Sequence, residues 1–377
     1  MNPVSFIMAC FSILGALDLI TGNHVGIGKE FEKGLMLLGT MALSMVGMIV
    51  IAPLLSELLF PPLEKLSNVI PFDPSSIVGS LLANDMGGAP LSLEFAKTEK
   101  AGYFNGLIVG SMMGATISFT LPFAMSAVKK EQHKSLLFGM MCGICAIPVG
   151  CFVSGLLIRM SLKELFINLI PLLLFSAILT VGLLKIPDIC VKIFNVFGIF
   201  IKAVILVGLA AGIFEFLTGI EILPYSAPIE EGMDVIVNAA MVISGAFPLV
   251  YLVSKLLNKP LQKLGEKIGI NSTSALGFLC TLATNVTTLS MIKDMDEKGV
   301  VLNSAFAVSA AFTFAGHLAF TIAFNADYLL SMIVGKLIAG FAALAIAALL
   351  FKRVYKKNSS NELPLTAEKE LQEPELE

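Results

Sequence analysis

The residue that most needs a chemical explanation is Asp85, an acid inside Leu81-Leu82-Ala83-Asn84-Asp85-Met86-Gly87-Gly88-Ala89-Pro90 with apolar sequence on both sides. A carboxylate near the centre of a bilayer costs roughly 2.5–3.5 kcal/mol on insertion scales. A partner, a cation or water must offset that cost. Asn-Asp, Gly-Gly and Pro in succession are turn signals, so Asp85 falls at a break where it could hold a cationic substrate or a proton. The plainer reading is an interfacial acid capping a half-helix.

A second interrupted run, Thr281-Leu282-Ala283-Thr284-Asn285-Val286-Thr287-Thr288, has no glycine but many small polar side chains. These could satisfy an unwound backbone. Asn84, Thr284 and Asn285 could add uncharged hydrogen bonds around the same cavity as Asp85, or could serve only the broken backbone. Asn105 and Asn303 lie one turn into the segments that follow the two breaks, with Ser111, Thr116 and Ser118 continuing one face and Ser304, Ser309 and Thr313 the other. Such residues either contact ligand or join helices. His317 is the histidine that falls inside an apolar segment and could relay a proton or bond a hydroxyl. Lys202 and Lys336 also lie in apolar segments and are expected to snorkel or to pair with an acid.

The elements that must position these groups are membrane helices. Of 377 residues, 56% are hydrophobic and 14% charged, and the mean hydropathy is +0.88. Soluble domains average about 25% charged residues. A net charge of −3 with no basic stripe excludes nucleic-acid binding. A membrane helix needs about 20 apolar residues, and eleven candidate segments meet or approach that length: 4–20, 35–55, 76–93, 103–128, 136–158, 165–184, 194–217, 235–257, 273–292, 301–323 and 329–351. A basic stop and an acidic tail, 352–377, follow; the tail reads as disordered and cytoplasmic. The six cysteines sit in or beside apolar runs and read as packing residues, Cys142 and Cys145 included. HExxH, Walker and GxSxG motifs are absent from the sequence, so neither an enzyme nor a cofactor or metal site is expected.

An internal repeat is visible at an offset near 198. Gly34 matches Gly232, Gly47 matches Gly245, Gly79 matches Gly277, Asn105 matches Asn303 and Ser111 matches Ser309. The run Leu58, Leu59, Pro62, Leu63, Lys65 recurs as Leu256, Leu257, Pro260, Leu261, Lys263. The sequence therefore divides into a first repeat (1–160), a connecting helix (161–193), a second repeat (194–351) and the tail. If the two broken segments dip in and return, 18 Lys and Arg lie on the side of the C-terminus and 5 on the other; if they cross, the split is 13 to 10. Inner loops carry the excess. The expected fold is thus an all-α polytopic membrane protein of two inverted repeats with two re-entrant or broken hairpins, nine to eleven membrane segments in all, and the N-terminus outside. Inverted repeats with broken segments near midplane recur in secondary transporters.

The strings LLANDMGG, GLIVGSMMGATISFTLP, TLATNV followed by KDMDEKG, and VLNSAFAVSAAFTFAGHLAF with IVGKLIAG resemble the ethanolamine-utilisation permease family over nearly the whole chain to about Phe351. One departure is at Ala315-Gly316-His317, where family members often place an acid before the histidine. The resemblance implies a multi-pass bacterial inner-membrane permease for ethanolamine, with the lipid bilayer as surroundings and homo-oligomerisation left open. Ethanolamine is a small primary amine, protonated at neutral pH because an alkylamine titrates near about 10. Alternatives are an ion-coupled carrier of another small solute, and a membrane scaffold or sensor that binds ethanolamine without moving it.

Overall fold

A computed structural model describes residues 3–69 and 72–359. The acidic-tail expectation falls largely on residues 360–377, outside the described residues. All regular structure among the described residues is helical: α1 (Pro3–Ile20), α2 (Ile27–Met41), α3 (Gly47–Val69), α4 (Ser75–Leu81), α5 (Gly88–Phe95), α6 (Glu99–Tyr103), α7 (Leu121–Ala127), α8 (His133–Leu157), α9 (Leu162–Lys185), α10 (Pro187–Thr218), α11 (Ile229–Ile268), α12 (Ser272–Ala283), α13 (Asn285–Met291), α14 (Glu297–Ala310), α15 (Gly316–Asn325) and α16 (Leu329–Ser359). Eight helical stretches are long and apolar enough to cross a bilayer. Exposed Ile178, Ile199, Leu256 and Leu349 show that the outer faces are made for lipid. The chain is an all-α multi-pass membrane protein.

Both interrupted segments fold back on themselves. In the first, the Asp73 carboxylate accepts from Ser75 N at 3.0 Å and from Lys97 N at 2.9 Å. The chain therefore enters and leaves at one level, with α4 and α5 as its limbs. In the second, Asp296 accepts from Asn271 N at 2.8 Å and from Ser274 Oγ at 2.7 Å, closing the limbs α12 and α13 in the same way. Irregular backbone survives at membrane depth where protein surrounds it, and both hairpins are enclosed. Gly79 lies so near Asn105 that an added Cβ would come within 2.1 Å of the Asn105 carbonyl, while at the matched Gly277 it would meet Asn303 Oδ1 at 2.3 Å.

Matched positions also meet across the two halves. A Cβ on Gly34 would contact the Ser244 backbone at 2.7 Å, and one on Gly232 would contact Val46. These are the same contact with the halves exchanged, as a two-fold relation requires. As the numbers rise from 34 to 46 along α2 and the π-helical residues 42–46 that continue it, their partners fall from 244 to 232 along α11. The matched helices are thus antiparallel, and the two halves run in opposite senses. Gly47 against Ile205 of α10 and Gly245 against Met8 of α1 form a second reciprocal pair, both with room for hydrogen only.

Two departures from straight helices were not expected from the sequence. Residues 42–46 between α2 and α3, and residues 104–114 and 116–120 between α6 and α7, wind as π-helix. The 301–323 segment is broken at 311–315, which divides it into α14 and α15 and makes each part too short to span alone. Phe312 there has φ of 60°, and its N–H donates to Thr281 O at 3.1 Å while Phe314 N donates to Leu282 O at 2.9 Å. The freed backbone groups of the break bond to the second hairpin, and hydroxyls serve the π-helical carbonyls: Thr116 Oγ1 donates to Met112 O and Ser118 Oγ to Gly114 O, each at 2.7 Å.

A Cβ on Gly114 would lie 1.9 Å from Leu82 O, whereas one on Gly39 would meet nothing within 4 Å. Gly114→Ala should therefore lower stability by about 1–3 kcal/mol through overpacking. Gly39→Ala should be neutral or gain up to about 1 kcal/mol of helix propensity. The fraction of monodisperse protein after graded heating in detergent checks both.

Candidate functional site

The two hairpin tips and the 311–315 break converge on a cavity of about 730 Å³. Tip one contributes Ala83, Asp85 and Met86; tip two contributes Ala283, Thr284, Val286 and Thr287; the break contributes Ala315, Gly316 and His317. Thr40 and Ser44 add hydroxyls from α2 and the π-helical stretch that continues it, and Phe119, Phe247 and Phe312 make an aromatic wall. Lys33 marks the mouth, its ammonium paired with Glu30 at 2.5 Å.

Asp85 is carried there by an irregular tip. Helix α4 ends at Leu81, Leu82 and Ala83 are extended, and residues 84–86 form a single 3₁₀ turn. Gly87 then takes φ of 92°, and its Cα lies hard against Met48, so no side chain fits there. The Asp85 side chain keeps 30% of its exposure, directed into the cavity, while the His317 side chain keeps 2%. His317 sits in the first turn of α15, which starts only after the break, and its Nε2 is 3.9 Å from Asp85 Oδ1.

Behind His317 stands Lys336, fully buried about two turns into α16. Its Nζ donates to Ser111 O at 2.5 Å and lies 3.0 Å from His317 Nδ1. Ala339, Ala343 and Ala347 are buried on the same face of α16. These small side chains bring the helix close to α8 and α14 and leave the lysine no path to snorkel. An ammonium that donates to Nδ1 leaves Nε2 as the protonated ring nitrogen, facing the carboxylate. Asp85, His317, Lys336 and the Ser111 carbonyl thus form one polar row from the cavity into the protein. A lone charge at this depth would be costly, and here acid and base compensate each other.

Of the residues singled out from the sequence, Asp85, Thr284 and His317 are brought together on the cavity wall. The others are not. Asn84 is fully buried beside the tip, with neither amide atom bonded within the protein. Asn285 turns away and donates to Thr120 Oγ1 at 2.8 Å. Asn105 donates to Ser75 Oγ at 2.8 Å and Asn303 to Ser274 O at 2.9 Å, so each amide fastens its own hairpin. The Ser111 hydroxyl bonds Ile108 O at 2.9 Å, and the residue meets the row only through its carbonyl. Of the two readings the sequence allowed for Lys336, snorkelling or pairing with an acid, the second fits its place in this row, although it was not counted among the site residues; Thr287 was not anticipated as a wall residue. The signal for Lys336 was present, since a lysine in mid-span is by default a functional candidate. No group of metal-ligating side chains occurs among the described residues.

A family model described as "Ethanolamine utilisation protein, EutH" matches residues 2–350. A Listeria monocytogenes protein named "Probable ethanolamine permease EutH" is 44% identical over 359 residues, which cover 95% of this chain and 96% of that protein. The Bacillus subtilis "Uncharacterized protein YxeR" is 37% identical, and the Salmonella typhimurium "Probable ethanolamine permease EutH" is 35% identical, each aligned over 92% of this chain and 94% of its own length. No solved structure matches the chain. By the extent of the family match and these identities, the chain belongs to the EutH family of ethanolamine utilisation proteins.

Proposed function

We propose that the protein is a permease that carries ethanolamine, as its ammonium, across the membrane by alternating access, with Asp85 as counter-ion. The observation that carries the reading is the placement of the Asp85 carboxylate: at the tip of a hairpin, open to an otherwise mainly apolar cavity, against a second hairpin tip with free hydroxyl chemistry. The substrate has an ammonium at one end and an alcohol two carbons away. The acid suits the first, Thr284 and Thr287 suit the second, and the faces of Phe119 and Phe312 suit a small cation. The antiparallel halves supply the construction that such carriers use, in which one half rocks against the other about a central site. The cavity reaches Lys33, on the side to which the lysine and arginine count assigns the cytoplasm, so this conformation is read as inward-facing.

The names of the relatives favour ethanolamine over another small solute. A scaffold or sensor that only binds ethanolamine would show no flux, so purified protein in liposomes separates the two. The assay belongs at acid pH, where the neutral amine that leaks through lipid falls about tenfold with each pH unit. Saturable uptake by the purified protein is expected.

Asp85→Asn should lower uptake efficiency at least about 30-fold, since loss of a buried charge partner costs about 2 kcal/mol or more. Size exclusion checks that the variant remains folded, and normal uptake by it ends the counter-ion assignment. Thr287→Val should weaken binding twofold to about tenfold, the worth of one hydrogen bond at about 0.5–1.5 kcal/mol. For topology, Lys65→Cys and Lys263→Cys, with the native cysteines replaced, should react with an impermeant maleimide from opposite faces, Lys65 from outside and Lys263 from inside. Labelling of both from one face would refute the proposed membrane orientation.

A further inference from the structure

We propose that Lys336 is the resident cation of the empty site and gives up one proton, through His317 and Asp85 to the cavity, each time a substrate ammonium docks on Asp85, so that the protein exchanges a proton for the substrate cation. This rests on the permease reading above and deepens it.

Three observations support the inference. Lys336 is fully buried and does not line the cavity, while His317 and Asp85 do. A proton on Lys336 therefore meets His317 Nδ1, 3.0 Å away, before it meets any wall of the cavity. His317 bridges the two spaces, with Nδ1 on the lysine and Nε2 toward the acid at 3.9 Å. The titratable groups that face Lys336 from the elements packed on it are Asp85 of the first tip, His317 of α15 and the Cys151 thiol of α8. Asp85 is thus the carboxylate among them. With Lys336 charged, the empty site is neutral; an added ammonium would leave one uncompensated positive charge in a low-dielectric surround. Loss of one proton restores neutrality.

The transfer balances. Lys336 passes a proton to His317 Nδ1 as His317 passes its Nε2 proton to Asp85. The outcome is a neutral amine, the other neutral imidazole tautomer and a carboxylic acid. The acid then yields its proton to cavity water and on to bulk buffer, and the carboxylate pairs with the incoming ammonium. The hydrogen bond between Lys336 and His317 persists with donor and acceptor exchanged, while the 3.9 Å gap from His317 Nε2 to Asp85 Oδ1 is closed by rotation of the acid or bridged by one cavity water. Release of substrate on the other side reverses the path, and the full cycle is electroneutral.

Calorimetric titration of the purified wild type with ethanolamine hydrochloride, at one pH near 7 in buffers of different ionisation enthalpy, counts the protons. About one proton released per ethanolammonium bound is expected. Binding by the wild type without proton release overturns the inference and leaves the permease reading standing; absence of both binding and uptake ends that reading instead. Lys336→Arg keeps a charge that cannot be shed and should bind at least about tenfold more weakly without proton release; proton release that persists in the folded Arg variant also overturns the inference. Wild-type proteoliposomes add a measure free of any substitution. A valinomycin-clamped, inside-negative potential should leave the initial uptake rate unchanged, and stimulation by voltage overturns electroneutral exchange.

Discussion

A membrane interior does not hold a single charge, and the structure around the cavity is organised by that constraint. Asp85, His317 and Lys336 come from a hairpin tip, the first turn of α15 and a position about two turns into α16, and a carbonyl from the π-helical stretch completes the row. Each group needs its own backbone device to reach the others. Gly87 turns the tip so that the acid faces inward. The break at 311–315 lets α15 begin at Gly316, which places His317 at a helix start beside the acid. The alanine face of α16 brings that helix close enough for the lysine to be sealed in. Removal of one member of such a buried set typically costs about 3–5 kcal/mol, so the row fixes the relative positions of three elements as well as supplying chemistry.

The same economy of polar groups explains how the broken segments persist. Each hairpin is closed at its base by one acid, and the acid changes limb between the halves. Asp73 stands before the first hairpin, where its repeat counterpart is Asn271; Asp296 stands after the second, where its counterpart is Thr98. In both halves the side chain at the start of the following helix also caps it, through Thr98 to Ala101 N and Asp296 to Gly299 N. The matched amides Asn105 and Asn303 then fasten the first limbs. In lipid, an amide is satisfied by the nearest backbone or hydroxyl far more readily than by a ligand, which is why these two, though prominent in the sequence, stand behind the cavity.

Features with their own local chemistry were legible in the sequence. Asn-Asp followed by Gly-Gly marked the first tip because glycine and turn formers are demanded by the backbone there. The glycine matches were legible because close helix contact tolerates no side chain, and Gly34 with Gly232 and Gly47 with Gly245 turn out to be reciprocal contacts between halves. What escaped was set by tertiary bonding alone. Ala311-Phe312-Thr313-Phe314-Ala315 contains neither glycine nor proline, and its break is held by carbonyls of Thr281 and Leu282 a hairpin away. The π-helical winding of 104–120 has no periodic signature distinct from an ordinary apolar helix. Lys336 was visible as an anomaly, but its partner lies 19 residues back, across a break that the sequence did not announce.

The duplicated scaffold carries the charged row once, built from Asp85 of the first repeat and His317 and Lys336 of the second. At the repeat offset of 198, the counterparts of Asp85, His317 and Lys336 are Ala283, Phe119 and Phe138. Two of these, Ala283 and Phe119, line the same cavity. The two-fold relation therefore governs the framework and not the chemistry: one wall is ionic, and the related wall is small and aromatic. That difference has a mechanical consequence for the proposed carrier. A symmetric pair of acids would bind two cations or repel itself when empty. A single acid with an internal lysine can be neutral when empty and neutral when loaded, and only a neutral site avoids the Born cost of crossing the membrane field with each change of access. In the proposed alternating-access cycle, a pseudo-symmetric framework would make the inward and outward states structurally alike, and the asymmetric charge would let the same groups hold the substrate in both.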